Sequence, residues 1–182
     1  LHYHPEYSKN IHYYNGWCTN EAYKVGRKVI FNCNAFEYWS YNRSHEFYPH
    51  RVYDKIRSIE LVLHYLDTSG KPYDSEELRK TLDDLRGASS AQNIQLRYFK
   101  ATFYKKGTCH IEFTNEDVLK SFNLFASQKK GWLPPSYGKK SYRDMSAADK
   151  KVVDSFEGEA SYTDTLARGL IPTTKTLLRL GA

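Results

Sequence analysis

Apolar positions along this chain switch between a period near 3.6 residues and a period of two, and each switch marks an element. Val52, Ile56, Ile59, Leu63 and Leu66 recur four, three, four and three residues apart, with Lys55, Arg57 and Glu60 on other faces, which predicts a helix over about 51–66. Pro49 pushes Tyr48 away from helical backbone and so marks a boundary, and Asp67-Thr-Ser-Gly-Lys-Pro closes the helix. A second helix, about 74–86, opens on Asp74 and Glu77 as a capping pair, presents Leu78, Leu82 and Leu85, and stops at Gly87. Thr114-Asn-Glu-Asp117 is a further capping box, ahead of a helix over about 115–127 whose stripe is Val118, Leu119, Phe122 and Phe125. Ser146 and Asp149 cap a fourth, about 146–156, carrying Val152, Val153 and Phe156.

Between these helices the period falls to two. Ile94–Lys105 and Thr108–Phe113 alternate around Lys106-Gly107, the pattern of a β-hairpin. Phe99, Ala101, Phe103, Cys109, Ile111 and Phe113 would form its core face. Tyr98, Lys100, Thr102, Tyr104, Thr108, His110 and Glu112 would form a polar one. A strand is expected at Arg27–Phe31, after a turn at Gly26, followed by a loop-like stretch anchored by Phe36, Trp39 and Phe47. The fold class is α+β: an antiparallel sheet with a central hairpin at about 94–113, packed against helices at about 51–66, 74–86, 115–127 and 146–156. Residues 1–12 read as an extended lead-in, with a turn at Asn15-Gly16, residues 13–162 as a single α+β domain, and 163–182 as a docked or mobile tail, because pattern is lost after Gly158.

Composition changes this picture in three ways. Aromatic residues make up 15% of the 182 residues, 16 of them Tyr, which can pack a ring and still reach a polar partner. Three cysteines, Cys18, Cys33 and Cys109, without CxxC spacing fit reduced thiols better than a disulfide framework, and with the lack of a signal-peptide pattern or a run of ~20 apolar residues they point to the cytoplasm of a bacterial host cell, with no membrane partner. A first residue of Leu rather than Met points to a fragment or trimmed product. The third change is charge. The segment Arg97–Arg143 holds ten basic and three acidic residues, +7 in all, whereas the whole chain is only +6, so the positive excess sits in one segment.

The chemistry open to these residues follows from what is absent as much as from what is present. Neither GxGxxG nor GxxxxGK[ST] occurs, and the Pro134-Pro135 pair lacks the amide or carboxylate of an adenine methyltransferase motif, so no methyl-donor or methyltransferase catalytic motif lies within this chain. There is no HExxH, no Cys/His ladder and no GxSxG elbow, and no metal site is expected. His110, with Glu112 and Tyr104 on the polar hairpin face, could act as acid and base on a phosphodiester; the plainer reading is a histidine hydrogen-bonded to its strand neighbours. A loop of Lys129, Lys130, Trp132, Tyr137, Lys139, Lys140 and Arg143 combines cations for phosphates with aromatic planes for bases, and Lys105 and Lys106 at the hairpin tip add a second contact point. A solvated surface remains the alternative, although the sequence pI near 9.1 fits a polyanionic partner.

The run Tyr104-Lys-Lys-Gly-Thr-Cys-His-Ile-Glu-Phe113, with Leu119, Asn123 and the stretch Ser127–Lys139, resembles the bacterial and phage family known as domain of unknown function 4942. Asn15-Gly16-Trp17, Ala22-Tyr23-Lys24 and Lys28-Val29-Ile30 fit it too, and the likeness extends over about residues 13–162. The family pattern favours a Lys-x-Gly-x-x-His hairpin, met here by Lys105, Gly107 and His110. Its members occur in phages and mobile elements, often C-terminal to a DNA methyltransferase domain. The resemblance therefore implies an accessory or target-recognition module for DNA or another nucleic acid, with no cofactor in this chain and S-adenosylmethionine expected only for a missing upstream domain. Two alternatives stand beside it: a small metal-independent nuclease or nucleotide-processing domain using His110, and a phage-encoded protein-binding adaptor or inhibitor of host defence.

Overall fold

A computed structural model describes residues 24–41 and 44–171, which fall into two compact units dividing between Leu119 and Lys120. The lead-in, the Asn15-Gly16 turn, Cys18 and residues 172–182 of the expected tail lie outside the described residues. The described part is α+β, as the alternation of periods predicts.

In the first unit, β1 (Lys28–Asn32), β2 (Phe36–Trp39) and β3 (Ser44–Phe47) precede α1 (Tyr53–Asp67) and α2 (Glu76–Asp83). Strands β4 (Ala91–Gln95), β5 (Phe99–Tyr104) and β6 (Thr108–Phe113) follow, and α3 (Glu116–Lys129) contains the division between units. A four-stranded antiparallel sheet runs in the order β1-β6-β5-β4, and β2 pairs with β3 in a separate two-stranded sheet. The hairpin lies at the centre of that sheet, with Phe103 opposite Cys109 and Ala101 opposite Ile111. Strict alternation sends Phe99, Ala101, Phe103, Cys109, Ile111 and Phe113 inward, all buried, as expected of one face of a period-two pattern. Helix α1 contributes Ile56 and Leu63 to the buried set, with Val52 just ahead of it. Full burial of such side chains is worth about 1.5–3 kcal/mol each before chain entropy is charged against it.

Polar anchors tie α1 to the sheet. The Glu60 carboxylate, 2% exposed, accepts the Arg97 backbone N–H at 2.9 Å and the Tyr73 hydroxyl at 2.5 Å. His64 Nδ1 lies 3.1 Å from the Tyr98 hydroxyl, which donates to Asp67 at 3.1 Å. These contacts overturn two expectations: Glu60, expected on a face away from the apolar stripe, is buried among its partners, and Tyr98 is not on the polar hairpin face. The run from Ile94 is not one strand: Ile94 belongs to β4, a turn in which the Leu96 N–H bonds the Phe99 carbonyl follows, and β5 starts only at Phe99, so Tyr98 packs inward at 5% exposure.

The stretch expected to be a loop at 32–50 contains β2 and β3 instead. Phe47 is a true anchor, fully buried with its ring 5.2 Å from that of Phe103, whereas Trp39 is 44% exposed. Helix starts also differ in detail. Asn115, not Thr114, caps α3 by accepting the Asp117 and Val118 N–H groups, and Asp74 accepts the Glu76 N–H ahead of α2. Ser146 caps its helix by accepting the Asp149 N–H, as predicted.

The second unit comprises the rest of α3, a pinned loop, α4 (Ala147–Phe156) and α5 (Gly158–Ala167). Helix α5 occupies residues expected to be patternless. Its buried positions, Tyr162 and Thr165, are a tyrosine and a threonine, so no aliphatic stripe announced it.

Candidate nucleic-acid interface

The cationic loop begins where α3 ends. The Trp132 N–H reaches the Ser127 carbonyl and the Gly131 N–H the Gln128 carbonyl, with Gly131 at φ +69°, a Schellman closure that leaves Lys129 and Lys130 exposed at the negative end of the helix. Lys129 Nζ sits 6.0 Å from the Phe125 ring centroid. Beyond it the Tyr137 N–H bonds the Pro134 carbonyl, and the Lys139 and Lys140 N–H groups both converge on the Ser136 carbonyl.

Side chains from α4 and α5 hold this loop in place. The Tyr162 hydroxyl accepts the Gly138 N–H at 3.0 Å and donates to the Lys140 carbonyl at 2.6 Å. Ser136 donates to Asp149 at 2.5 Å, Tyr142 donates to Asp154, and Lys150 Nζ donates to the Arg143 carbonyl. Gly138 has φ +79°, and a Cβ there would meet Ile171 at 2.7 Å, so the bend needs glycine for conformation and for space. Lys130, Lys139, Lys140 and Arg143 therefore project from a fixed backbone. Among the described residues none of the four is ion-paired, and residues 120–143 include six basic and no acidic side chains.

Tyr137 departs from its expected role. It is 3% exposed, its ring edges meet Tyr162 and Phe156, and its hydroxyl donates to Glu157, so neither ring face is free to stack on a base. Burial first, then the Glu157 bond, pushes this phenol well above its ordinary range. Glu157 also accepts Ser161 at 2.8 Å and Thr165 at 3.1 Å, with Lys120 Nζ at 3.6 Å. The loop is thus seated on a buried carboxylate that sequence reasoning missed, because Glu157 beside a glycine reads as solvent-facing. Trp132 is half-buried and Tyr142 is held by Asp154.

The hairpin contributes a second cationic feature, in the first unit. Lys105 and Lys106 are exposed at its tip, where Gly107 adopts φ +83°. On the outer sheet face the Tyr104 and His110 rings lie 4.4 Å apart. Glu112 faces Arg27 Nε at 3.4 Å and Lys28 Nζ at 3.7 Å, so its carboxylate is engaged by cations rather than by His110.

Sequence reasoning also passed over a cleft of about 280 Å³ lined by His50, Tyr53, Asp54, Arg79, Asp83 and Arg86 among others. There Arg79 covers the Tyr53 ring at 5.4 Å, and Arg86 pairs with Asp83 at 2.6 Å. The Ser75 hydrogen bond, with lesser help from Arg79, lowers the Tyr53 phenol. Its lining thus carries charges of both signs, with Arg86 and Asp83 paired to each other.

These features define a class: an α+β protein with a hairpin-centred antiparallel sheet and a lysine-rich pinned loop. The chain belongs to the family described as a domain of unknown function (DUF4942), whose model matches residues 7–132. That match takes in the hairpin and all of α3 and ends at Trp132, ahead of the double proline and the loop lysines Lys139 and Lys140. No curated protein and no solved structure matches it. No described helix is long and apolar enough to cross a membrane.

Proposed function

We propose that this chain is a nucleic-acid-binding accessory module, for DNA in the first instance, acting beside a DNA methyltransferase of a phage or mobile element. The observation that carries the reading is the pinned loop, which holds Lys130, Lys139, Lys140 and Arg143 exposed and without an acidic partner among the described residues. Fixed cations of this kind neutralise phosphates at any sequence and release counterions as they do so. The methyltransferase association rests on the resemblance to phage and mobile-element relatives. In that arrangement S-adenosylmethionine and the methyl-transfer chemistry belong to the catalytic partner in the host cytoplasm.

Replacing Lys129, Lys130, Lys139 and Lys140 together by Ala tests the reading through affinity for duplex DNA across a salt series. The expected result is weaker binding and a shallower dependence of log affinity on log salt, by up to about 0.9 for each phosphate no longer neutralised. Unchanged affinity and slope would remove the proposal. The nuclease alternative has less support, because Glu112 is committed to Arg27 and Lys28 and leaves His110 without a carboxylate to orient it. Labelled DNA and RNA incubated with the wild type and with His110→Ala decide it by the presence or absence of a His110-dependent product.

A further inference from the structure

Helix and sheet meet on one side of the β1-β6-β5-β4 sheet, and the other side is polar and reachable. Three rows cross it from β1 through β6 to β5: Lys28, Glu112 and Lys100; Ile30, His110 and Thr102; Asn32, Thr108 and Tyr104. Tyr104 is 39% exposed, Lys100 is exposed, and the imidazole of His110 packs against the Tyr104 ring at a centroid distance of 4.4 Å and a tilt of 47°. Lys105 and Lys106 follow Tyr104 directly into the turn.

We infer that this outer sheet face binds unpaired bases of a single-stranded nucleic acid, with Tyr104 as the stacking platform and Lys100, Lys105 and Lys106 as phosphate contacts on either side of it. The inference rests on the nucleic-acid reading above and names the form of the ligand. At about 3.3 Å per strand residue, Lys100 lies roughly 13 Å along β5 from Tyr104, so cations bracket the aromatic pair along the strand. Aromatic rings on a flat sheet can meet a base face only when that base is out of the duplex stack, whereas a duplex offers the same surface nothing but its phosphates. The Tyr104 hydroxyl has no side-chain partner among the described residues, which leaves the ring held by strand geometry and by His110. Glu112 does not oppose a polyanion here, because Arg27 and Lys28 both face its carboxylate.

Fluorescence anisotropy of the full chain with a labelled single-stranded oligothymidylate, the same backbone with abasic sites, and a duplex of equal length provides the test. Tyr104→Ala is expected to weaken the single strand about tenfold or more, to change abasic and duplex affinity less than twofold, and Tyr104→Phe to restore wild-type binding. His110→Ala is expected to weaken the single strand in the same selective way. Equal losses on all three probes, or none on the single strand, overturn the inference, as does a Tyr104→Phe variant as poor as Tyr104→Ala. If the loop-lysine variant loses affinity while Tyr104→Ala does not, this inference falls and the proposed function stands. If the wild type binds none of the probes, both fall.

Discussion

Tyr137 donates its hydroxyl proton to Glu157, and this one bond joins the middle of the lysine-rich loop to the start of α5. A carboxylate with only 5% of its side chain exposed has its oxygens satisfied by gathered donors, here from Tyr137, Ser161 and Thr165, with an ammonium close by. Tyr137→Phe should therefore cost about 1.5–3 kcal/mol, the range for a hydrogen bond to a charged group, read as a lower urea midpoint at unchanged m-value. The same variant should also loosen the loop, so backbone amides of residues 136–140 should exchange faster than in the wild type.

Glu60 plays a comparable part in the first unit with a different donor set, one backbone N–H and one phenol. Glu60→Leu removes the acceptor and leaves the Arg97 N–H and the Tyr73 hydroxyl without their partner. The expected loss is about 1–3 kcal/mol for each group left buried and unsatisfied, measured by chemical denaturation; a neutral result would show that both find water.

Alkaline pH should weaken the fold through Tyr98. Burial, with Asp67 second, raises this phenol from its usual value near 10 to about 12. The folded state then holds a proton that the unfolded chain gives up. Its contribution is full below pH 10 and is lost as pH rises from 10 through 12. Tyr98→Phe should flatten that decline by as much as about 1.4 kcal/mol per pH unit, compared with wild type in denaturation curves at pH 9, 10 and 11.

Cys33 and Cys109 are free thiols, 1% and 0% exposed, and burial pushes both above the ordinary thiol range, Cys109 strongly. Neither should react with a thiol reagent in the folded protein. Mass mapping of labelled peptides should find both modified only after unfolding, and rapid native labelling of either would show that the sheet opens there.

Gly107→Ala should destabilise the hairpin by about 1 kcal/mol or more. Its φ of +83° disfavours any Cβ, and the new methyl would run into Asn34 Oδ1. A thermal melt of this variant beside Asn34→Gly/Gly107→Ala separates the clash from the backbone penalty, since only the clash is relieved in the double variant.

Elements whose buried residues are aliphatic or phenylalanine could be read from the sequence. Helix α1 shows itself through Ile56 and Leu63, and the hairpin through Phe99, Phe103, Ile111 and Phe113. What escaped was held by tyrosines, hydroxyls and carboxylates, whose burial depends on partners far along the chain. Tyr98 turns inward because His64 and Asp67 wait for its hydroxyl, and Tyr137 because Glu157 does. Helix α5 was invisible for the same reason, since Tyr162 and Thr165 form its buried side. Of the loop residues, the lysines are exposed as their charge implies, whereas Tyr137 is buried, because an aromatic among lysines can face either way.

The central place of β6 in the sheet also sets an order of assembly. Its partner on one side, β5, is joined to it by a tight turn, whereas on the other side Lys28 must find Glu112, 84 positions away. Closing the longer loop costs about 3 kcal/mol more in chain entropy, so the hairpin forms early and β1 zips on late. A molecule halted between those steps presents the bare edge of β6, with Ile111 and Phe113 alongside, to the β1 of any neighbouring copy, which makes strand exchange the natural misfolding route when the protein is refolded at high concentration.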